Sequence, residues 1–312
     1  MQVNKTFKSM VGQQKVKTTL SLYIEAYKAT GRIPFLNFTT QKGGGKSFSV
    51  RLFREGLERP DGTRPPLLEV NAATIKNPQQ FFEQIVPVWT QHKAVLFLDE
   101  VQNLPHSLQQ IFLSLLDVKK SPIRSVTWEE AEYHFNFNEI SFISATTNQE
   151  KLTPALRDRL KDISFEEYKP FELMEIFENQ LFPEIELTAD VKPLIIPCFR
   201  GNPRDAVVKA EDVRMFCAAK NLKKLEAQNW KEFCSVMSIH PHGLTSAEMT
   251  IMRILGQRHE MSLNGLSAAT GFSRTAIQQD YETSLIRKNF LQIEQKRKLS
   301  ADGIRFYHEF VK

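Results

Sequence analysis

A run of three glycines followed by a lysine and a serine is the part of the sequence best suited to chemistry. The run consists of Gly43, Gly44, Gly45, Lys46 and Ser47, and it separates a strand-like apolar segment from a helix-like one. A turn of this kind gathers backbone N–H groups and the positive end of the helix dipole, which together bind phosphate. Lys46 would reach the β- and γ-phosphates, and the Ser47 hydroxyl would hold Mg²⁺. The pattern therefore predicts a site for ATP and Mg²⁺.

Thr40 departs from the usual phosphate-binding pattern, which has glycine at this position. Glycine eases the exit from the strand because it tolerates unusual backbone angles, whereas a β-branched threonine must keep a negative φ. We therefore expect a reshaped loop. The alternative interpretation is a flexible glycine turn beside a solvated lysine.

Two adjacent carboxylates follow an apolar run about fifty residues after the glycine-rich loop. The run at 94–98 is typical of a strand buried on both faces of a parallel sheet, and it ends in Asp99 and Glu100. Ligands bind at the carboxyl ends of such strands. Asp99 would hold the Mg²⁺ shell, and Glu100 would orient and polarise the attacking water. The alternative interpretation is a pair of ordinary capping acids.

Further polar and basic residues follow at positions where they could reach a nucleotide. Thr147 and Asn148 come after a predicted strand and could hold the attacking water. Arg157 could enter the site of a neighbouring subunit as an arginine finger; the alternative is a surface ion pair with the adjacent aspartate. Arg204 opens a predicted helix and could reach the phosphates, or it could be simply exposed.

Composition and length favour a globular protein of two or three domains. The chain has 312 residues, 41% of them hydrophobic and 25% charged, and a net charge of +5. That charge permits nucleic-acid binding without requiring it. No apolar run is long enough to cross a membrane, and no signal peptide is recognisable. Three widely spaced cysteines lack metal-binding spacing. We expect a cytoplasmic protein.

The order of predicted elements indicates an α/β fold with two further domains. Strands expected at 35–39, 67–71, 95–99, 140–145 and 163–165 alternate with helices, which predicts a parallel sheet. A helical pattern follows from residue 170. We predict a nucleotide-binding domain at 1–170, an all-α lid at 171–239 and a winged helix at 240–312.

The winged-helix prediction depends on the last seventy residues. Thr245 and Glu248 form a capping box before one helix, and helices at 263–270 and 273–285 flank a glycine turn. We expect strands at 290–294 and 305–307, joined across a basic run. The second helix of the pair would enter the major groove and the wing would hold phosphate. The predicted DNA contacts are Arg274, Lys296, Arg297 and Lys298. The alternative is a helical cap with a solvated basic loop.

The same motifs resemble the AAA+ ATPases, and most closely the RuvB family of Holliday-junction branch-migration motors. The resemblance spans nearly the whole chain. It is carried by the stretches at 10–16, 45–47, 97–100, 145–147, 156–159 and 201–204, and by the winged-helix segments between 265 and 291.

The resemblance implies a role for each matched residue. Met10 and Val11 would line the adenine pocket, whereas the loop and the two acids keep the roles given above. Thr147 or Asn148 would be sensor 1 and Arg204 sensor 2. Arg157 would be the finger acting on a neighbouring subunit, with Arg159 as the substitute if the register is shifted. Such motors are hexameric rings that encircle duplex DNA.

A predicted hairpin at 123–137 is the position where the RuvB family docks its junction-binding partner, RuvA. Here the hairpin carries Glu129 and Glu130 near its turn, together with Arg124, Trp128 and His134, unlike the apolar tip of the family. The resemblance therefore implies a junction-binding partner. Because the hairpin lacks the apolar tip of the family, we expect this partner to be a protein other than RuvA.

The sequence as a whole predicts an ATP-driven ring that moves duplex or branched DNA. One alternative is an AAA+ loader or nucleotide switch that places a partner protein on DNA. Another is a winged-helix DNA-binding regulator with a weakened ATP site. The substitution at Thr40 favours the regulator, and the retained Glu100 argues against it.

Overall fold

A computed structural model describes residues 3–117 and 121–312. The described strands are β1 (Leu36–Thr39), β2 (Leu67–Asn71), β3 (Val95–Asp99), β4 (Ile123–Trp128), β5 (Ala131–Asn136), β6 (Ser141–Thr146), β7 (Lys161–Ser164), β8 (Glu186–Leu187), β9 (Lys224–Leu225), β10 (Glu260–Met261), β11 (Leu291–Ile293) and β12 (Arg297–Leu299).

The described α-helices are α1 (Gln14–Thr30), α2 (Lys46–Gly56), α3 (Pro78–Gln80), α4 (Val86–Gln91), α5 (His106–Leu115), α6 (Pro154–Arg157), α7 (Pro170–Leu181), α8 (Lys192–Ile195), α9 (Pro203–Ala219), α10 (Ala227–Val236), α11 (Ser246–Arg258), α12 (Leu263–Thr270), α13 (Arg274–Ala276), α14 (Thr283–Arg287) and α15 (Ala301–Phe310). Two π-helical turns, Phe81–Ile85 and Ile277–Glu282, join α3 to α4 and α13 to α14. None of these helices is long and apolar enough to span a bilayer.

The central sheet confirms the predicted α/β class. Its five strands are all parallel and lie in the order β2-β3-β6-β1-β7. The predicted strands are present, with ends that differ by one or two residues. Thr39 pairs with Thr146, and Asn71 pairs with Asp99, so the carboxyl ends of neighbouring strands meet at one edge. Ligands bind at this edge in open parallel sheets.

Hydrophobic cores cover both faces of the central sheet. Side chains alternate along each strand, so Leu96 and Leu98 of β3 enter one core, and Val95 and Phe97 enter the other. The fully apolar strand predicted from the sequence is thus buried on both sides, as parallel strands are. Burial of both faces of β3 therefore fixes the position of Asp99 and Glu100 at its carboxyl end.

The hairpin predicted at 123–137 is present as strands β4 and β5. Glu129 takes the left-handed conformation at the turn, with φ of 53°. One face packs inward, where the Trp128 ring stacks on Phe82 with the ring planes 12° apart. The other face exposes Glu132 and His134. The alternation seen in the sequence therefore describes one packed face and one solvent face.

The chain divides into two compact units. The first contains 1–168 together with Asn202–Arg204, and the second contains 169–201 and 205–312. The predicted lid and winged helix both lie within the second unit, so their separation into two domains stays a prediction. Within that unit, Arg200 pairs with the buried Glu248, and Lys288 donates to the Pro197 carbonyl at 2.6 Å.

The C-terminal segment has the predicted helices but a different wing. Thr245 and Glu248 form the expected capping box, and the Ser273 hydroxyl accepts from the Ala276 amide at the start of α13. The second wing strand is β12, which contains most of the basic run. The prediction of a strand at 305–307 is wrong, because these residues lie in α15. Strand β10 pairs with the other edge of β12.

Candidate functional site

The glycine-rich loop joins β1 to the first residue of α2. Gly43 and Gly45 have φ of 79° and 95°, in the left-handed region that favours glycine. Thr40 has no positive φ, as expected for a β-branched residue, and its amide extends the sheet toward the Thr146 carbonyl at 3.5 Å. The loop therefore keeps the strand–turn–helix form with threonine in place of glycine.

Lys46 is buried at the mouth of this loop. Its Nζ donates to the Thr40 carbonyl at 3.4 Å and lies 3.8 Å from Glu100 Oε1. Burial lowers the pKa of the Lys46 ammonium, while the negative charges of Glu100 and Asp99 oppose that shift. A buried ammonium held only by long contacts is suited to a polyanion, which would supply the missing negative charge.

The residues predicted to hold Mg²⁺ come together. Ser47 Oγ donates to Asp99 Oδ2 at 3.4 Å, across the gap between α2 and β3. A hydroxyl and a carboxylate beside a phosphate cradle are oxygen donors of the kind that Mg²⁺ takes. The donor set therefore fits the metal.

Glu100 is held by its neighbours at the end of β3. It adopts φ of 53° and ψ of 45°, an unusual conformation for a residue with a side chain. Its Oε2 accepts hydrogen bonds from Thr147 Oγ1 at 2.9 Å and from the Gln102 side-chain amide. The sequence interpretation missed Gln102, because its contacts with Thr146 and Thr147 depend on the pairing of β3 with β6.

The structure separates the two candidates for the residue beside Glu100. Thr147 makes the direct hydrogen bond. The Asn148 side chain instead accepts from the Glu150 amide at 3.0 Å and caps the turn that follows β6. Of the two candidates, Thr147 is therefore the one whose side chain contacts Glu100.

Met10 and Val11 are both buried in the first unit. The Ser49 hydroxyl of α2 donates to Met10 Sδ at 3.8 Å, which places Met10 behind the phosphate loop. Gln13 exchanges two hydrogen bonds with the backbone of Glu166, at 2.8 and 2.9 Å. This second residue missed from the sequence fixes the N-terminal segment to the chain beyond β7.

The three arginines differ in how they are held. The Arg157 side chain is exposed and makes no hydrogen bond or ion pair within the described parts of the chain, although its backbone bonds to Thr153 and Leu160. Arg159 donates to the carbonyls of Leu113 and Ala155 at 2.8 and 2.7 Å, so it is already bound within its own subunit. Arg204 is exposed, its backbone amide donates to the Gly43 carbonyl at 3.3 Å, and its charge contributes to lowering the pKa of Lys46.

The predicted DNA contacts of the wing are engaged with carboxylates. Lys296 pairs with Glu260 at 2.6 Å, and Lys298 pairs with Glu294 at 2.8 Å, in both cases at the surface. Arg297 differs from the prediction because its guanidinium pairs with Glu282 inside the fold, where their side chains are only 12% and 5% exposed.

Arg274, the remaining predicted DNA contact, is exposed at the start of α13. Its guanidinium reaches only the Asn264 side chain, at 3.4 Å. Arg274 and the two wing lysines are therefore the predicted contacts that lie at the surface.

Comparison with known proteins places the chain beside one family. The model of an AAA domain (dynein-related subfamily) matches residues 41–160. The RuvB subunit of the Holliday junction branch migration complex from Koribacter versatilis is 23% identical over 295 residues, which cover 91% of this chain and 79% of that protein. The subunit of the same name from Thermosipho melanesiensis is 23% identical and covers 90% of each chain.

The fold agrees with these matches. A variant of RuvB from Thermotoga maritima superposes with a TM-score of 0.76 at 19% identity and covers 98% of both chains. A likeness over the whole length shows the same fold. In this chain, the glycine-rich loop, the acids of β3 and Thr147 lie at the carboxyl edge of the central sheet. The chain therefore resembles RuvB in sequence and fold over nearly its whole length, and its residues 41–160 match the AAA domain.

Proposed function

We propose that this protein is an ATP-driven DNA motor that moves duplex DNA and drives branch migration of Holliday junctions or related recombination intermediates. The observation that carries the proposal is the convergence of Lys46, Ser47, Asp99, Glu100 and Thr147 at one sheet edge, in a chain whose relatives are branch-migration subunits.

ATP would bind with its phosphates in the glycine-rich loop. Backbone N–H groups of the glycine-rich loop and the ammonium of Lys46 would hold the phosphate oxygens. Ser47 and Asp99 would hold Mg²⁺, which when bound neutralises charge on the phosphates. Met10 and Val11 would face the adenine.

Hydrolysis would depend on Glu100 and on residues that act with it. Glu100 would accept a proton from the attacking water, and Thr147 would hold that water in line with the γ-phosphate. Arg204 would contact the phosphates from the start of α9. The exposed guanidinium of Arg157, which contacts no partner within the described chain, would complete the site of a neighbouring subunit in a homo-oligomeric ring, which we propose to be a hexamer.

DNA would bind to the C-terminal winged helix, where Arg274, Lys296 and Lys298 lie at the surface. The β4–β5 hairpin would receive a junction-binding partner. Its exposed acids, Glu129, Glu130 and Glu132, favour a basic docking surface on that partner.

The test is steady-state ATP hydrolysis with and without duplex and four-way DNA. We expect DNA to stimulate the wild type. Glu100→Gln should lower turnover by about 10²–10⁴-fold, the usual contribution of a general base. Arg157→Ala should lower it by about 10³–10⁵-fold, as for other arginine fingers.

Arg64→Ala is the matched control, since Arg64 is exposed and outside the site. Mixing Arg157→Ala with Glu100→Gln should restore part of the activity, because some interfaces then combine an intact arginine with an intact glutamate. Wild-type turnover no faster than that of Glu100→Gln would contradict the proposal.

A further inference from the structure

The side chain of Gln102 lies between the acid at the end of β3 and the hydroxyls at the end of β6. Its Nε2 donates to Glu100 Oε2 and lies 3.2 Å from Thr147 Oγ1. Its Oε1 accepts from Thr146 Oγ1 at 2.6 Å. Each side of the amide therefore has its own partner.

The hydrogen atoms in this cluster fix the orientation of the Gln102 amide. The Asn148 backbone N–H donates to Thr146 Oγ1 at 3.0 Å. The Glu100 carboxylate can only accept, so the amide NH₂ group of Gln102 must point at Glu100 and Thr147. Gln102 Oε1 then faces Thr146, whose hydroxyl donates its one hydrogen to it. The chain of donors begins at a backbone group that cannot turn, and it ends on the carboxylate.

The consequence for Glu100 is that its two carboxylate oxygens differ. Oε2 accepts from both Gln102 and Thr147, whereas Oε1 lies 3.8 Å from Lys46 Nζ. With Oε2 occupied by two donors, Oε1 is the oxygen with lone pairs left for another group. The backbone of Glu100 is left-handed, a conformation that costs about 1–2 kcal/mol in an L-residue.

We propose that Gln102 is a positioning residue for hydrolysis: it holds Oε2 of Glu100 and joins it to Thr146 and Thr147, so that Oε1 faces the attacking water. This inference rests on the proposed function, since it assigns to Glu100 the role of base. Gln102 does not itself touch the reacting atoms. Its effect should therefore appear in turnover and not in nucleotide affinity.

The test compares Gln102→Leu and Gln102→Glu with the wild type by ATP turnover and by affinity for a fluorescent ATP analogue. Leucine removes both halves of the amide. Glutamate keeps an acceptor for Thr146 and replaces the donor by a carboxylate that repels Glu100. We expect kcat to fall roughly tenfold or more in both variants, a part of the full effect of a general base. Affinity should stay within about twofold.

Gln91→Leu is the control, because Gln91 is exposed at the end of α4. Wild-type turnover in Gln102→Glu would overturn the inference, since the donor to Glu100 would then be dispensable. Loss of nucleotide affinity together with turnover would also overturn it, because it would show a merely structural role. Glu100→Gln, measured in parallel, distinguishes a failure of the Gln102 inference from a failure of the proposed function. If Glu100→Gln abolishes turnover and Gln102→Leu does not change it, only the role of Gln102 fails; if Glu100→Gln is as active as wild type, the proposed function fails first.

Discussion

The side chain of Thr40 occupies space in the phosphate loop that a glycine would leave open. A Cβ added at Gly44 would lie 2.4 Å from Thr40 Oγ1 and 2.6 Å from its Cγ2. Gly44 itself has no positive φ, so packing and not backbone conformation demands glycine there. The loop therefore compensates for its threonine by keeping the facing residue without a side chain.

This packing predicts a rescue between two positions of the loop. Gly44→Ala should weaken nucleotide binding by about tenfold or more, since overpacking costs about 1–3 kcal/mol. Adding Thr40→Gly should restore affinity, because it removes the atoms that clash. The measurement is titration of each variant with a fluorescent ATP analogue.

Gly45→Ala is the matched control for that rescue. Gly45 has φ of 95°, so alanine there is strained whatever occupies position 40, and Thr40→Gly should not help it. A double variant Thr40→Gly, Gly44→Ala that binds as weakly as Gly44→Ala alone would contradict this account of the loop.

The chemistry of single residues was the most predictable part of the site. Lysine, serine and paired acids at the ends of strands have few other uses in this spacing, so their positions followed from the sequence. The choice between Thr147 and Asn148 did not, because it depends on which side chain caps the following turn. Gln102 was missed for the same reason: its importance comes from partners on another strand.

The basic residues of the wing form ion pairs with carboxylates of the same unit, and one of these pairs is buried. Arg297 of β12 pairs with Glu282, at the end of the π-helical turn that precedes α14. This pair joins the wing to the proposed recognition helix. The pairs of Lys296 and Lys298 are exposed, and pairs of that kind contribute about 0–1 kcal/mol.

Arg297 and the two lysines should therefore respond differently to substitution. Arg297→Ala leaves a buried carboxylate without its partner, which costs about 3–5 kcal/mol, so the melting temperature should fall by several degrees. Lys296→Ala with Lys298→Ala should leave melting nearly unchanged and should weaken DNA binding with a shallower salt dependence. Thermal melting and DNA titration at several salt concentrations measure both effects. An Arg297→Ala protein with wild-type melting and weakened DNA binding would contradict this assignment.

The error in the second wing strand has a physical cause. Aromatic residues at 306 and 307 favour a strand locally. The Ser300 hydroxyl, however, accepts from the Gly303 amide at 2.9 Å and caps a helix, and Phe306 and Phe310 lie one helical turn apart. The cap and the four-residue spacing were visible in the sequence and were the stronger signals.

At the scale of the whole molecule, strand order explains why distant motifs meet. Strand β6 lies between β3 and β1, so the acids, Thr147 and the phosphate loop share one edge although they are far apart in sequence. The parallel class followed from the apolar strands and the alternation of elements. The pairing partners of each strand did not, because periodicity alone carries no information on strand order.

The central claim is that ATP hydrolysis by this chain moves DNA junctions. The most direct measurement follows a synthetic four-way junction with homologous arms as the protein resolves it into duplex products. We predict product formation by the wild type with ATP, and none with Glu100→Gln or with a non-hydrolysable ATP analogue. ATP turnover that is stimulated by the junction without any product, or equal product from Glu100→Gln, would contradict the claim.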